Sequence, residues 1–283
     1  MLDVFFDAFL DSLKVFGIAF VLYFIFSFVH SKVTESIHKH KKLSPLLGSA
    51  FGLIPECGIS IVGADMYHKK EISMGTILAI FFACSDEALF ILLADYQKLI
   101  YVFPLLAIKF LFGFLLGTIV DRAYKKKETL VEEKNLKLDC CSHEHKEHSK
   151  IEEHFLHPLL HCLKIFIYVF IVNLIFGILV YYITEEAILS FLKSNSFFGP
   201  CLAGIIGLIP NCASSVLMSK LFLMDGLSFG ALLTGLSINS GLGIVYLMRY
   251  KETRREALMM ILILFAYALM LGYIVFGLEC IRW

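Results

Sequence analysis

Eight stretches of this sequence are each apolar over about the twenty residues that cross a bilayer core. They cover 13–30, 43–67, 72–94, 99–121, 162–183, 197–222, 227–248 and 257–278. So many apolar segments leave few folds open. In lipid every backbone N–H and C=O must find its partner inside the protein, which predicts helices. Of the 283 residues, 58% are apolar, 18% are charged and 27 are Phe. This excludes a disordered chain and exceeds what one soluble core of this length needs. Lys plus Arg equals Asp plus Glu, at 25 each, and nothing points to nucleic acid. Most of the eight Cys lie in or beside apolar segments, so a secreted disulfide framework is not expected. The N-terminus carries Asp3, Asp7 and Asp11 where a signal peptide needs positive charge. Its apolar run continues to Val29, so it is read as a membrane segment.

The segments repeat. GLIPEC at 52–57 is answered by GLIPNC at 207–212. The match continues through Ser60 and Ser215, Ser73 and Ser228, Gly75 and Gly230, Leu78 and Leu232 or Leu233, and Ser85 and Ser240. Upstream, DSLKVF at 11–16 answers HCLKIF at 161–166. An internal duplication of membrane segments is the usual plan of a transporter. Three regions follow: a first membrane repeat at 1–123, a polar linker at 124–157 and a second membrane repeat at 158–283.

Basic residues orient the repeats. If every segment spans, the loops at 31–42 and 68–71 face opposite sides, although both are basic. That conflicts with the tendency of Lys and Arg to stay in the cytoplasm. If 43–67 instead enters and returns on one side, both loops are cytoplasmic. Gly48, Gly52, Pro55 and Gly58 favour such a broken hairpin. The second-half hairpin, 197–222, then dips in from outside. Arg122, Lys125, Lys126 and Lys127, and the run Arg249, Lys251, Arg254 and Arg255, fall inside, and both termini lie outside. The expected fold is an all-α integral membrane protein of two inverted repeats. Each has three spanning helices plus a Pro-broken re-entrant helical hairpin, or ten helices when each hairpin arm is counted. Eight plain spans are the alternative.

Broken backbone survives in a membrane only where it is buried or lines a wet cavity. Two symmetry-related breaks, at Pro55 and Pro210, therefore point to one midplane site. Segment 72–94 holds Ser85-Asp86-Glu87 at its centre, and intramembrane carboxylates are functional or paired. Lys109 in the next span is the candidate counter-charge, as an ion-pair partner or as a group that a cation displaces. Glu56 adds a third acid at the first break. Asn211 replaces it in the second half, and Ser237, Asn239 and Ser240 answer the region of Cys84 and Ser85. The candidate binding residues are Glu56, Cys57, Ser60, Ser85, Asp86, Glu87, Asn211, Cys212, Ser215, Asn239 and Ser240, with Pro55, Gly58 and Pro210 at the breaks. Carboxylate and amide oxygens suit a manganese-like divalent cation, and a thiolate shifts preference toward softer ions. Cys57 and Cys212 are either ligands or small apolar fillers. Ser60 and Ser215 either line the site or bond back to their own helix.

The linker carries Cys140, Cys141, His143, His145 and His148. Such a tract captures metal ions or is a solvated linker with incidental His. Its spacing matches no closed zinc motif. No phosphate-binding loop occurs, so transport would draw on an ion gradient, a potential or a partner.

The paired G-x-I-P-x-C hairpins, S-D-E-A-L at 85–89 and the His-rich linker together resemble the ten-helix heavy-metal exporters, also labelled arsenic-efflux-like permeases or manganese transporters. The resemblance covers nearly the whole chain. It implies a prokaryotic inner-membrane efflux permease with metal or metalloid cargo. It also implies roles for Pro55, Glu56, Cys57, Ser60, Ser85, Asp86, Glu87, Pro210, Asn211, Cys212 and Ser215.

The reading is a secondary transporter rather than an enzyme. It exports a divalent heavy-metal cation and requires no cofactor beyond a transported or regulatory metal ion. Lipid and a metal ion or small solute are its expected partners. The small-residue run from Gly199 to Gly207 permits homo-oligomer packing. The alternative is a proton- or sodium-coupled transporter of an anion, arsenical or amphipathic organic acid. A third class is an intramembrane hydrolase, with Ser60 or Ser85 beside Asp86, or a metal sensor built on the linker.

Overall fold

Ten helical segments, five from each half, account for most of the residues that the computed structural model describes. These residues are 43–54, 57–85, 88–96, 98–123 and 196–282, with isolated positions in 9–17 and 163–174. Every regular element among them is helical. The first half contributes α1 (Ser44–Gly52), α2 (Cys57–His68), α3 (Met74–Ala83), α4 (Ala88–Ala94) and α5 (Val102–Ala123). The second contributes α6 (Gly199–Gly207), α7 (Cys212–Leu223), α8 (Phe229–Ile238), α9 (Leu242–Met248) and α10 (Arg254–Arg282). The linker at 124–157 lies outside the described residues.

Equivalent helices begin with equivalent chemistry. Pro45 and Pro200 stand in the first turns of α1 and α6, where a missing N–H costs nothing. Ser73 and Ser228 are the N-caps of α3 and α8, and their hydroxyls accept from Thr76 N and Ala231 N. An acid from the outer helix adds to each cap. Asp121 on α5 accepts from Gly75 N at 2.8 Å. Glu279 on α10 accepts from Phe229 N at 3.1 Å. Negative charge there complements the positive end of the helix.

The packing repeats as well. α3 lies between α1 and α5, and α8 between α6 and α10. Glycines allow close approach. A Cβ at Gly75 would collide with the Gly117 carbonyl oxygen, and one at Gly230 would stand 2.5 Å from that of Gly272. Across the halves, α2 packs on α9, α4 on α7 and α3 on α8.

Contacts also fix directions. Ser44, at the start of α1, bonds Thr76 near the start of α3 at 2.8 Å. Gly52, at the end of α1, lies against Ile80 and Ala83. α1 and α3 therefore run the same way. α6 and α8 do too, since Gly199 lies by Ala231 and Gly207 by Gly235. α2 runs parallel to α9: Ser60 meets Gly243, Asp65 accepts from the Tyr246 hydroxyl at 2.9 Å, and His68 stacks on Tyr250. Lys98, just after α4, pairs with Asp225, just after α7.

Among the described residues, four stretches are long and apolar enough to cross a membrane: Met74–Ala94, Leu99–Ala123, Phe229–Met248 and Arg254–Ile281. This is a multi-pass membrane protein. The first and third stretches are central, 75% and 89% inside the protein, whereas the other two are each 28% inside. The outer pair presents Leu111, Leu115 and Ile119 on α5, and Leu258, Leu262, Ile274 and Leu278 on α10. Apolar side chains facing outward are what lipid contact requires.

One difference from the sequence reading matters. Segments 72–94 and 227–248 were expected as uninterrupted spans, yet α3 ends at Ala83 and α8 at Ile238. α4 resumes at Ala88 and α9 at Leu242. No proline marks either interruption. Freed backbone groups there find partners from other elements.

Candidate functional site

The second-half break is closed by side chains that also hold it to α8. α6 ends at Gly207, and the chain turns through Leu208-Ile209-Pro210-Asn211 before α7. The Ser214 hydroxyl serves two carbonyls of this turn, standing 2.6 Å from Asn211 O and 3.0 Å from Ile209 O. Asn239, the C-cap of α8, sends its amide to Ser214 Oγ at 3.2 Å and to Asn211 O at 3.5 Å. Its own carbonyl oxygen accepts from Gly241 N at 3.2 Å. Gly241 has φ of 59° and ψ of −152°, a conformation essentially confined to glycine. It lets the chain turn directly into α9.

Lys109 ties the two halves at the same depth. It lies on α5 and is completely buried. Its ammonium donates to the carbonyl of Cys84, the C-cap of α3. It also donates to Leu236 O near the end of α8, at 2.9 Å. One cation thus meets the negative ends of two broken helices, one from each half.

Most of the described candidates fall around these contacts. Asn211, Cys212, Ser215, Asn239 and Ser240 are buried at the second-half breaks. Ser60 is buried in the first turn of α2, and its carbonyl lies against Gly243 at the start of α9. Ser85 is buried beyond α3, its hydroxyl 3.5 Å from Ala83 O. Ser215 bonds back to Cys212 O at 2.8 Å, the local alternative to a lining role. Pro210 lies between α6 and α7. Gly58 was assigned to the first break but lies inside α2, whose first residue is Cys57. Pro55, Glu56, Asp86 and Glu87 lie outside the described residues, as do Cys140, Cys141, His143, His145 and His148. Among the described residues, no three His, Cys, Asp or Glu side chains gather as metal ligands would.

A cavity of about 340 Å³ adjoins the second-half breaks. Gly207, Pro210 and Ser240 line one part of it, and Ile244, Met248 and Ile261 continue the wall along α9 and α10. The lining is mainly apolar.

Sequence reasoning missed a polar cluster between α2, α9 and α10. Asp65 is buried, pairs with Lys69 at 2.7 Å and accepts from Tyr246. The Tyr67 hydroxyl donates to Glu256 at 2.7 Å. The available signal was Asp65 itself, an acid inside an apolar segment. The capping acids Asp121 and Glu279 were missed because each lies near the end of its segment, where acids are ordinary.

The oxygens collected here are carbonyl, amide and hydroxyl, and two of the carbonyls hold the Lys109 ammonium. In the comparisons with known proteins, the family model described as "Putative, 10TM heavy-metal exporter" matches residues 1–172, more than half of the chain. No curated protein and no solved structure matches it.

Proposed function

Because the chain belongs to the 10TM heavy-metal exporter family, we propose that it is a secondary transporter exporting a divalent, manganese-like cation through a midplane site. Glu56, Asp86 and Glu87 supply charge to that site. Asn211, Asn239, Ser240, Ser60 and Ser85 supply neutral oxygens, and Cys57 and Cys212 flank the breaks. The observation that carries this reading is the meeting of broken helix ends from both halves at Lys109. In transporters built of repeats, such ends hold the cargo or the coupling ion.

The segments 43–67 and 197–222 are re-entrant hairpins, and the two halves are inverted. Two sets of contacts support this. α1 and α3 run the same way while a short turn joins α2 to α3, so the chain re-enters and leaves on one side. The Lys98–Asp225 pair joins the end of the 74–94 span to the start of the 229–248 span. The His68–Tyr250 stack joins their opposite ends.

The test has two parts. Calorimetry on the purified chain follows binding of manganese, zinc, iron and cobalt to the wild type, to Asp86→Asn and to a variant lacking residues 139–148. Binding is expected to survive the deletion and to fail with Asp86→Asn. In proteoliposomes, metal flux is expected to fall at least tenfold when Asp86→Asn is combined with Glu87→Gln. Unchanged flux in the double variant would sink the proposal.

The cavity favours a second reading. Its largely apolar wall beside Pro210 and Ser240 suits an amphipathic organic acid or an arsenical better than a bare cation. The sign of the charge moved per transport cycle separates the two readings.

A further inference from the structure

Lys109 is an expensive residue. An ammonium removed from water costs several kcal/mol unless charge or hydrogen bonds compensate. Its ammonium donates to main-chain oxygens, Cys84 O and Leu236 O, at the C-terminal ends of helices in different halves. The repeat does not require this group twice. The position 155 residues further on, which answers Lys109 on α10, is Leu264, and it is equally buried. A single cation therefore serves both broken helices. Carbonyl oxygens at half-helix C-termini are the ligands that elsewhere hold a dehydrated monovalent cation.

We propose that the Lys109 ammonium is a built-in cation: it occupies a carbonyl-lined monovalent-cation site between the ends of α3 and α8. The chain therefore needs no free alkali cation there, and removing the side chain turns the place into a site for one. The carbonyl dipoles of both helix ends point at that position whether or not a lysine fills it. This goes beyond the cargo assignment, and its test does not depend on the identity of the cargo.

The test is thermal unfolding of the purified full-length chain in detergent. Wild type, Lys109→Ala and Lys109→Met are compared in chloride salts of methylammonium, potassium, sodium and N-methylglucamine, the last being too large to enter. Wild type is expected to melt at one temperature in all four. Lys109→Ala is expected to melt lower in N-methylglucamine and to regain about 3 °C or more in methylammonium or potassium, the size of shift that saturating a site gives. Lys109→Met fills the volume without charge and is expected to be destabilised with no response to cations. An Ala variant that no small cation restores would overturn the proposal, as would a Met variant as stable as wild type. If Lys109→Ala does not accumulate, it is purified in methylammonium and in N-methylglucamine in parallel. Recovery in the first alone supports the built-in cation, and recovery in neither overturns it.

Discussion

Asn239 and Ser237 lie two positions apart at the end of α8, and their side chains have opposite fates. Asn239 gives its amide to Ser214 and Asn211 and takes the Gly241 N–H. Truncating it takes the acceptor from the buried Gly241 N–H and a donor from Ser214 and Asn211. Asn239→Ala is expected to cost about 1–3 kcal/mol, measured by denaturant unfolding in detergent. Ser237 is buried too, yet among the described residues its hydroxyl has no hydrogen-bond partner. Ser237→Ala removes a group that was desolvated without return, so stability is expected to hold or rise in the same measurement. A loss as large as that of Asn239→Ala would contradict the geometry. Sequence comparison of the halves found Asn239 and Ser240, because they answer Cys84 and Ser85. It also placed Lys109 near the centre. It could not supply the partners of Lys109, because a main-chain carbonyl at a helix end has no residue signature.

Helices α3 and α8 show what the repeat encodes at the scale of elements. Each starts at a serine cap, receives an acid from the outer helix and crosses that helix at a glycine. Ser73→Ala and Ser228→Ala are each expected to cost roughly 0.5–2 kcal/mol. Ser73 is expected to cost more, since its hydroxyl also donates to Asp121 at 2.8 Å. Thermal melts of the two single variants check the order. The breaks between α1 and α2 and between α6 and α7 were legible because the sequence places a proline in each, which a helix interior does not tolerate. The interruptions after Ala83 and Ile238 were not. Their residues include serine, acids, asparagine and Gly241, with no proline among them, and Lys109 and the Asn239–Ser214 contact meet released groups from elsewhere in the fold.

On the scale of the whole molecule, the relation between the halves has a consequence that separates inversion from simple duplication. Tyr96 and Lys251 occupy answering positions, 155 residues apart, each just beyond the second piece of its broken span. In a parallel duplication they would face the same side. The proposed inversion puts them on opposite sides, and two contacts support it. Lys98 pairs with Asp225, which precedes α8, so the end of the first broken span lies with the start of the second. Tyr250 stacks on His68, which precedes α3, so the end of the second lies with the start of the first. Charge then assigns the sides. Lys69, Lys70, Arg249, Lys251, Arg254 and Arg255 gather at the His68–Tyr250 end, which the positive-inside tendency assigns to the cytoplasm. Both test residues are exposed, so cysteines placed there report the side without disturbing packing. In a background without native cysteines, Tyr96→Cys is expected to react with a membrane-impermeant thiol reagent on intact cells. Lys251→Cys is expected to react only after the membrane is opened. Labelling of both from one side would remove the inversion, and with it the reason for expecting two opposed hairpins to share a midplane site.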